Sequence, residues 1–442
     1  MKTILSPFRR LLNLLVPVYS ACTLILFFCV ADQALGHAGL LPINATVLCA
    51  ILLAPFVAHA SMFSRGHRIL RSPLLQSLRA NRSSVISLIV LALVALVLSI
   101  LPSSYWGEGG KWIAVVPYDV AIALGSMALG LSGWITRHLR PIVLVSLLAL
   151  VGSIWYDMLH PGTFAEISNR AAGFPGNANF AALTAVVLCS AGLNFGERPE
   201  RSPSRYHLIL DILVLIATFT VVTMTMSRSG LLNFSILVAA FFLFRLFRSY
   251  SSLRQRVKEF AAATCAVAVS GTVLMWISAV SVSGNQDNRL IRFLNNKQVD
   301  DGSAGTRLAA VHDSIRLIEE APLLGHGTGF ARTMNELPHN MYLQQWVNNG
   351  LLGIGAYICL LSSAFMTFVS RRYRNGQVLI ISAAVGGVFS HNVIDLRPFL
   401  MLLGTMLSHS YLIQRLRDNH AQPVQLQSAP RHYAEPQFVS ES

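Results

Sequence analysis

Apolar runs long enough to cross a bilayer recur along the whole chain, roughly at 11–30, 38–60, 84–102, 113–135, 142–159, 176–194, 207–226, 230–246, 260–280, 341–369, 377–394 and 397–414. Spanning a hydrocarbon core takes about 20 residues of helix. Lipid offers backbone amides no partner, and a helix satisfies them within itself. The sequence therefore predicts an all-α, polytopic membrane protein of about 12 transmembrane helices. Its balance of side chains agrees: of 442 residues, 53% are hydrophobic and 12% charged, whereas soluble domains carry about a quarter charged residues. The first run follows the basic stretch Met1–Arg10, in the layout of a secretory signal. It is longer than a signal core and no small-x-small cleavage site precedes Gly39, so it reads as the first membrane helix.

A net charge of +14 could signal nucleic acid, but the basic residues lie in short clusters between apolar runs, not in one patch. They are read as topology signals. With Met1 in the cytoplasm, the inward segments hold 24 of the 34 Lys and Arg, and the positive-inside rule then puts both termini in the cytoplasm. Six of the outward basic residues fall in one long periplasmic segment, Ser281–Pro338. A loop of that length is usually functional. From Thr306, the apolar residues Leu308, Val311, Ile315 and Ile318 share one helical face, and the segment stops at Pro322 before Gly325-His326-Gly327-Thr328-Gly329. This predicts an amphipathic helix against the membrane surface or over the bundle, then a tight glycine turn leading to Pro338. Residues 1–414 are expected to form a single transmembrane domain that includes the periplasmic loop of about 281–340. Residues 415–442 are expected to be a cytoplasmic tail, disordered where it becomes polar and aperiodic. The six cysteines, Cys22, Cys29, Cys49, Cys189, Cys265 and Cys359, all fall within predicted spans, so no structural disulfide is expected.

Pro338 opens the tenth run, and the helix is expected to start there or just after it, with His339 and Asn340 in its first turn at a water boundary. Asn340, Gln344 and Asn348 recur every fourth residue as a polar stripe, with Gln345 and Asn349 beside it. Amides left unpaired in hydrocarbon cost several kcal/mol each, so these stripes should face protein or a wet cavity. His339, an imidazole that can take a proton near neutral pH, suits a general base; an interfacial histidine at a helix start is the bland alternative. His391-Asn392 repeats the dipeptide near the outward end of the eleventh run and is a candidate for cavity lining. Arg228 sits in a hairpin between two runs with no room for a solvated loop; it either snorkels to headgroups or pairs with a membrane-borne anion. Arg307 follows Thr306 at an expected helix start, where free N–H groups would help hold an anion; a plain surface charge is its alternative.

The spacing His339-Asn340, nine residues, Gly350, two residues, Gly353 resembles the signature of bacterial O-antigen ligases, members of the O-antigen ligase and polymerase superfamily. Ser227-Arg228 before a run and Arg307 in the large loop resemble that family's Ser-Arg and loop-arginine elements. Gly176-Asn177-Ala178-Asn179 is similar to its Gly-Asn-Pro-Asn element, with Ala178 in place of the proline. Asn177 and Asn179 are therefore candidates for cavity lining along with Asn340 and Gln344, although Asn also caps helices well. The resemblance implies an inverting, periplasmic-side glycosyltransferase of the bacterial inner membrane. It would transfer an undecaprenyl-diphosphate-linked O-antigen glycan to the lipid A core, with His339 as base and Arg228 and Arg307 on the diphosphate. Two enzyme alternatives are an O-antigen polymerase and a protein O-oligosaccharyltransferase; from another class, a lipid-linked glycan transporter fits twelve spans with cavity amides. Asp300-Asp301-Gly302 reads as a turn with capping carboxylates and not an acidic metal site. No His and Cys cluster has zinc spacing and no Gly-x-x-x-x-Gly-Lys loop occurs, so no cofactor or metal is expected and the reaction is read as nucleotide-independent.

Overall fold

The structure, a computed structural model, describes residues 5–38, 40, 44–62, 73–99, 106–164, 171–195, 205–246, 302–390, 393 and 396–421. Among these every regular element is helical: α1 (Leu5–Phe28), α2 (Ala31–His37), α3 (Ala45–Met62), α4 (Pro73–Ala80), α5 (Arg82–Leu98), α6 (Trp106–Gly130), α7 (Gly133–Leu159), α8 (Ala178–Gly192), α9 (Arg205–Met224), α10 (Arg228–Leu246), α11 (Gly302–Glu320), α12 (Met341–Ser370), α13 (Arg374–Phe389) and α14 (Arg397–Ala421), with a 3-10 turn at Phe330–Thr333. The expected apolar runs coincide with these helices, except 260–280, which lies outside the described residues together with His391 and the tail beyond Ala421. Three stretches, His138–Leu159, Tyr206–Met224 and Met341–Ser370, are each long and apolar enough to cross a bilayer. Shorter apolar helices such as Val116–Gly130 and Ala178–Gly192 pack beside them, and α4 meets α5 at a bend of 81°. Over the described residues the fold is all-α, with apolar helices consistent with a membrane protein.

The residues 137–140, expected as an inward link, instead continue α7, and only Leu131 and Ser132 separate it from α6. The helix tolerates Arg140 because its guanidinium is matched inside the bundle: Nε donates to the Gly192 carbonyl at 2.7 Å and a terminal nitrogen pairs with the buried Asp211 carboxylate. A buried charge is kept when it is paired and hydrogen-bonded.

Cross-helix bonds sort the bundle into two ends. At one end, Asn233 in the second turn of α10 donates to the Ser382 carbonyl of α13 at 2.9 Å, and Tyr342 in the first turn of α12 donates to the Ala384 carbonyl at 3.0 Å. Asn179 at the head of α8 accepts from the Ser227 hydroxyl just before α10, at 3.0 Å. The heads of α8, α10 and α12 and the tail of α13 therefore gather together. Arg397, which opens α14, is held by the fully buried Asp32 of α2 at 2.7 Å. At the opposite end Arg371 donates to Asn81 Oδ1, the Leu407 carbonyl and Ser410 Oγ at 2.7, 3.0 and 2.8 Å. Arg374 reaches the Phe195 and Phe244 carbonyls there. Arg140, Arg371 and Arg374 thus share one end of the molecule.

Candidate active site

Asn340 opens the site by ending the loop. Its backbone is extended (φ −148, ψ 115) and its Oδ1 accepts from the N–H groups of Tyr342 at 2.9 Å and Leu343 at 3.2 Å, making it the N-cap of α12. The expected start at Pro338 is thus corrected to Met341. Asn outranks most residues at this position because its side chain satisfies amides that the helix leaves free, so the oxygen of Asn340 is spent on the backbone. His339 is left on the loop just outside the helix, half-buried.

About two and a half turns further on, α12 breaks open. Gly350 takes φ 60 and ψ −157 in mid-helix. In a regular helix the N–H groups of Leu351 and Leu352 would bond the carbonyls of Val347 and Asn348. Here they donate to Pro322 at 2.9 Å and Leu323 at 3.5 Å, while the two released carbonyls accept from His326 at 2.9 Å and Gly327 at 2.7 Å. The loop 322–327 is threaded into the gap and all four groups stay paired. Approach this close leaves no room for side chains: a Cβ on Gly350 would sit 2.2 Å from the Leu323 oxygen, and one on Gly325 would sit 2.6 Å from that of Asn348. Those two positions also have positive φ, which glycine adopts without strain. Around the junction Trp346 Nε1 donates to the Pro322 carbonyl, a His326 ring nitrogen bonds the Leu317 carbonyl, and Asn348 Oδ1 accepts from the Ala331 N–H. His326 is a turn residue that ties down the end of α11.

The same junction docks α11 on α12. The helix begins at Gly302, so Arg307 lies in its second turn and not among the free N–H groups of its start, as Thr306 had suggested. Its buried face also differs from the expected one. Ala310, Ser314 and Ile318 are buried, whereas Leu308 and Ile315 are exposed. Ile318 and the neighbouring Leu317 pack with Leu343, Trp346 and Val347 of α12. Arg307 is exposed yet acts on His339: burial, first, and then the Arg307 positive charge push the imidazole's pKa below its ordinary value, with Glu336 opposing them.

Arg228 reaches the same end of the bundle by another route. Met226, at φ 50, turns the chain between α9 and α10, and Ser227 Oγ accepts from the Gly230 N–H at 3.2 Å, capping α10 with Arg228 as its first residue. The Arg228 side chain is exposed. Asn177 caps α8, accepting from Asn179 at 3.0 Å and Phe180 at 3.3 Å, so its oxygen serves the helix start; Asn179 instead ties α8 to Ser227. Arg228 at the head of α10 and His339 at the head of α12 accordingly flank the tail of α13, bonded to it through Asn233 and Tyr342. Gln344 does line a cavity, between α12, α5 and α6. The residue that sequence reading missed is Asp119 of α6, on the same cavity; a lone carboxylate inside the apolar run 113–135 was the available signal.

Exposed cations, a loop histidine whose pKa is lowered and an amide-lined cavity wall are parts suited to handling an anionic lipid-linked substrate. Residues 213–358 match the family described as O-antigen ligase. Over that stretch the chain is similar to the O-antigen ligase and polymerase superfamily. None of the curated proteins matches it. The O-antigen ligase match takes in Arg228, Arg307, His339 and both glycines of the α12 pattern, and it ends within α12. Asn177, Asn179 and the tail of α13 lie outside it, yet Asn179 and α13 bond directly to the matched region through Ser227, Asn233 and Tyr342. The match supports an activity of the O-antigen ligase or polymerase class.

Proposed function

We propose that this protein is a periplasmic-side O-antigen ligase of the bacterial inner membrane. It has both termini in the cytoplasm and a single transmembrane domain over 1–414, followed by a cytoplasmic tail over 415–442. The donor is an undecaprenyl-diphosphate-linked glycan and the acceptor a hydroxyl of the lipid A core. What supports this reading is that Arg228, opening α10, and His339, just before α12, lie toward the same end of the bundle, and that burial and the Arg307 charge hold down the proton affinity of the His339 imidazole. A neutral imidazole at pH 7 is ready to accept a proton. In the reaction His339 takes the acceptor hydroxyl's proton as that oxygen bonds to the anomeric carbon. The bond from that carbon to the diphosphate oxygen breaks on the opposite face, and its electron pair leaves with undecaprenyl diphosphate, so configuration inverts. Charge on the diphosphate rises as the bond breaks, and the planar guanidinium forks of Arg228 and Arg307 meet it there. The donor alone, lipid-borne and anionic, also suits a polymerase; the acceptor decides between them.

The test is transfer by purified protein from lipid-linked glycan, with lipid A core and, separately, lipid-linked glycan as acceptor, each with and without chelator. Glycosylated lipid A core and released undecaprenyl diphosphate, unaffected by chelator, are expected. Elongated lipid-linked glycan with untouched lipid A core would overturn the ligase reading.

A further inference from the structure

α11 and the first half of α12 run side by side toward the break at Gly350, where Leu317 and Ile318 pack with Leu343, Trp346 and Val347. At a helical rise of about 1.5 Å per residue, Arg307 lies about 16 Å before Ile318 and Met341 about 9 Å before Val347. The extended backbone of Asn340 then carries the chain back to His339. This register brings Arg307 and His339 to the same level, both well away from the break. The bonds that seat the end of α11 in α12 lie at the other end.

His326 joins three segments there. Its backbone N–H donates to the Val347 carbonyl that the break releases, at 2.9 Å, and a ring nitrogen donates to the Leu317 carbonyl at 2.8 Å. The ring also stacks on Phe330, with centroids 4.6 Å apart. One residue thus links the last turn of α11, the 3-10 turn and the opened turn of α12. Trp346 Nε1 adds a bond to the Pro322 carbonyl at 3.1 Å. A helix seated at one end acts as a lever, so a small tilt at the break becomes a larger displacement of its far end.

We propose that His326 is a positioning residue of the transfer site: by seating the end of α11 in the α12 break, it fixes how far Arg307 stands from His339. Its catalytic meaning rests on the glycosyl-transfer reading above. Among the described residues, Arg307 on α11 and Glu336 on the loop bear on the His339 imidazole with opposite signs. Loosening α11 weakens the influence of Arg307, whereas Glu336 stays with the loop that carries His339. The proton affinity of the imidazole then rises.

The test uses the full-length chain in detergent. Diethyl pyrocarbonate modifies neutral imidazole, so the pH dependence of its reaction at His339, read by peptide mass spectrometry, gives that residue's titration midpoint without any substrate. His326→Ala is expected to raise the midpoint by about 0.3 pH unit or more, toward the value for Arg307→Ala, and to add nothing once Arg307 is replaced. His326→Gln, whose amide can still donate to Leu317, should restore most of the wild-type value. Trp346→Phe removes the bond to Pro322, keeps an aromatic ring, and should raise the midpoint by less; it decides the matter if His326→Ala does not fold. A purely structural His326 would lower the melting temperature and leave the midpoint in place. That result, a downward shift, or an equal shift in the Arg307→Ala background would overturn the proposal. The acid limb of kcat/KM for transfer should follow the midpoint. If the midpoint moves and the limb does not, the reading of His339 as base fails and the positioning stands.

Discussion

His339 is held between two charges of opposite sign, and that gives its role a pH signature. Burial and Arg307 disfavour the imidazolium while Glu336 favours it. A base must be neutral to act, so kcat/KM falls on the acid side as His339 is protonated. Arg307→Ala removes a repelling charge, raises the proton affinity of His339 and moves the acid limb to higher pH. Glu336→Gln removes an attracting one and moves the limb to lower pH. A pH–rate series on these two variants checks both signs, and movement in the same direction would remove His339 from the role of base. His339→Ala should lower turnover by about 10²–10⁴-fold with donor binding retained, as measured by single-turnover transfer and donor titration. His339, Arg228 and Arg307 became candidates in the sequence because each stands out against its surroundings, as a charge outside the inward clusters or as a histidine heading a polar stripe. The employment of Asn340 and Asn177 as caps was legible only as one of two options, since an amide that can line a cavity can equally serve a helix start.

The break in α12 could not be read from side-chain pattern, because it exchanges backbone partners that every residue carries alike. A glycine pattern marked the place and the structure supplies the reason: Gly350 and Gly325 let two segments of backbone meet. Gly350→Ala forces a Cβ against the Leu323 carbonyl at a positive φ, a strain of about 1–3 kcal/mol for the backbone conformation alone. Gly355, further along the same helix, has open space around it; Gly355→Ala should be neutral or stabilise by up to about 1 kcal/mol through helix propensity. Thermal unfolding in detergent should therefore separate the two variants, and equal melting temperatures would mean that the loop insertion contributes nothing to stability. The buried face of α11 escaped sequence reading as well. Its apolar residues Leu308 and Ile315 are exposed, Ala310 and Ser314 are buried, and Leu317 and Ile318 pack with Leu343, Trp346 and Val347 of α12.

Across the molecule, helix positions followed from apolar runs. Which helix heads meet depended on polar side chains that cross between neighbours. The Asp32 and Arg397 pair is one such cross-link, joining α2 to α14 with the carboxylate fully buried. Asp32→Ala strands a largely buried guanidinium and should cost about 3 kcal/mol or more, whereas Asp32→Leu with Arg397→Met should recover most of that loss. Melting curves of the single and double variants would decide it, and a double variant no better than the single would argue against a paired charge. The wider claim is that distant stretches of chain act on one diphosphate. A double-mutant cycle of Arg228→Ala and Arg307→Ala on kcat/KM for the lipid diphosphate donor reads this directly. Two guanidinium groups sharing one ligand should be coupled by about 1 kcal/mol or more, while separate sites would give effects that add to within about 0.5 kcal/mol.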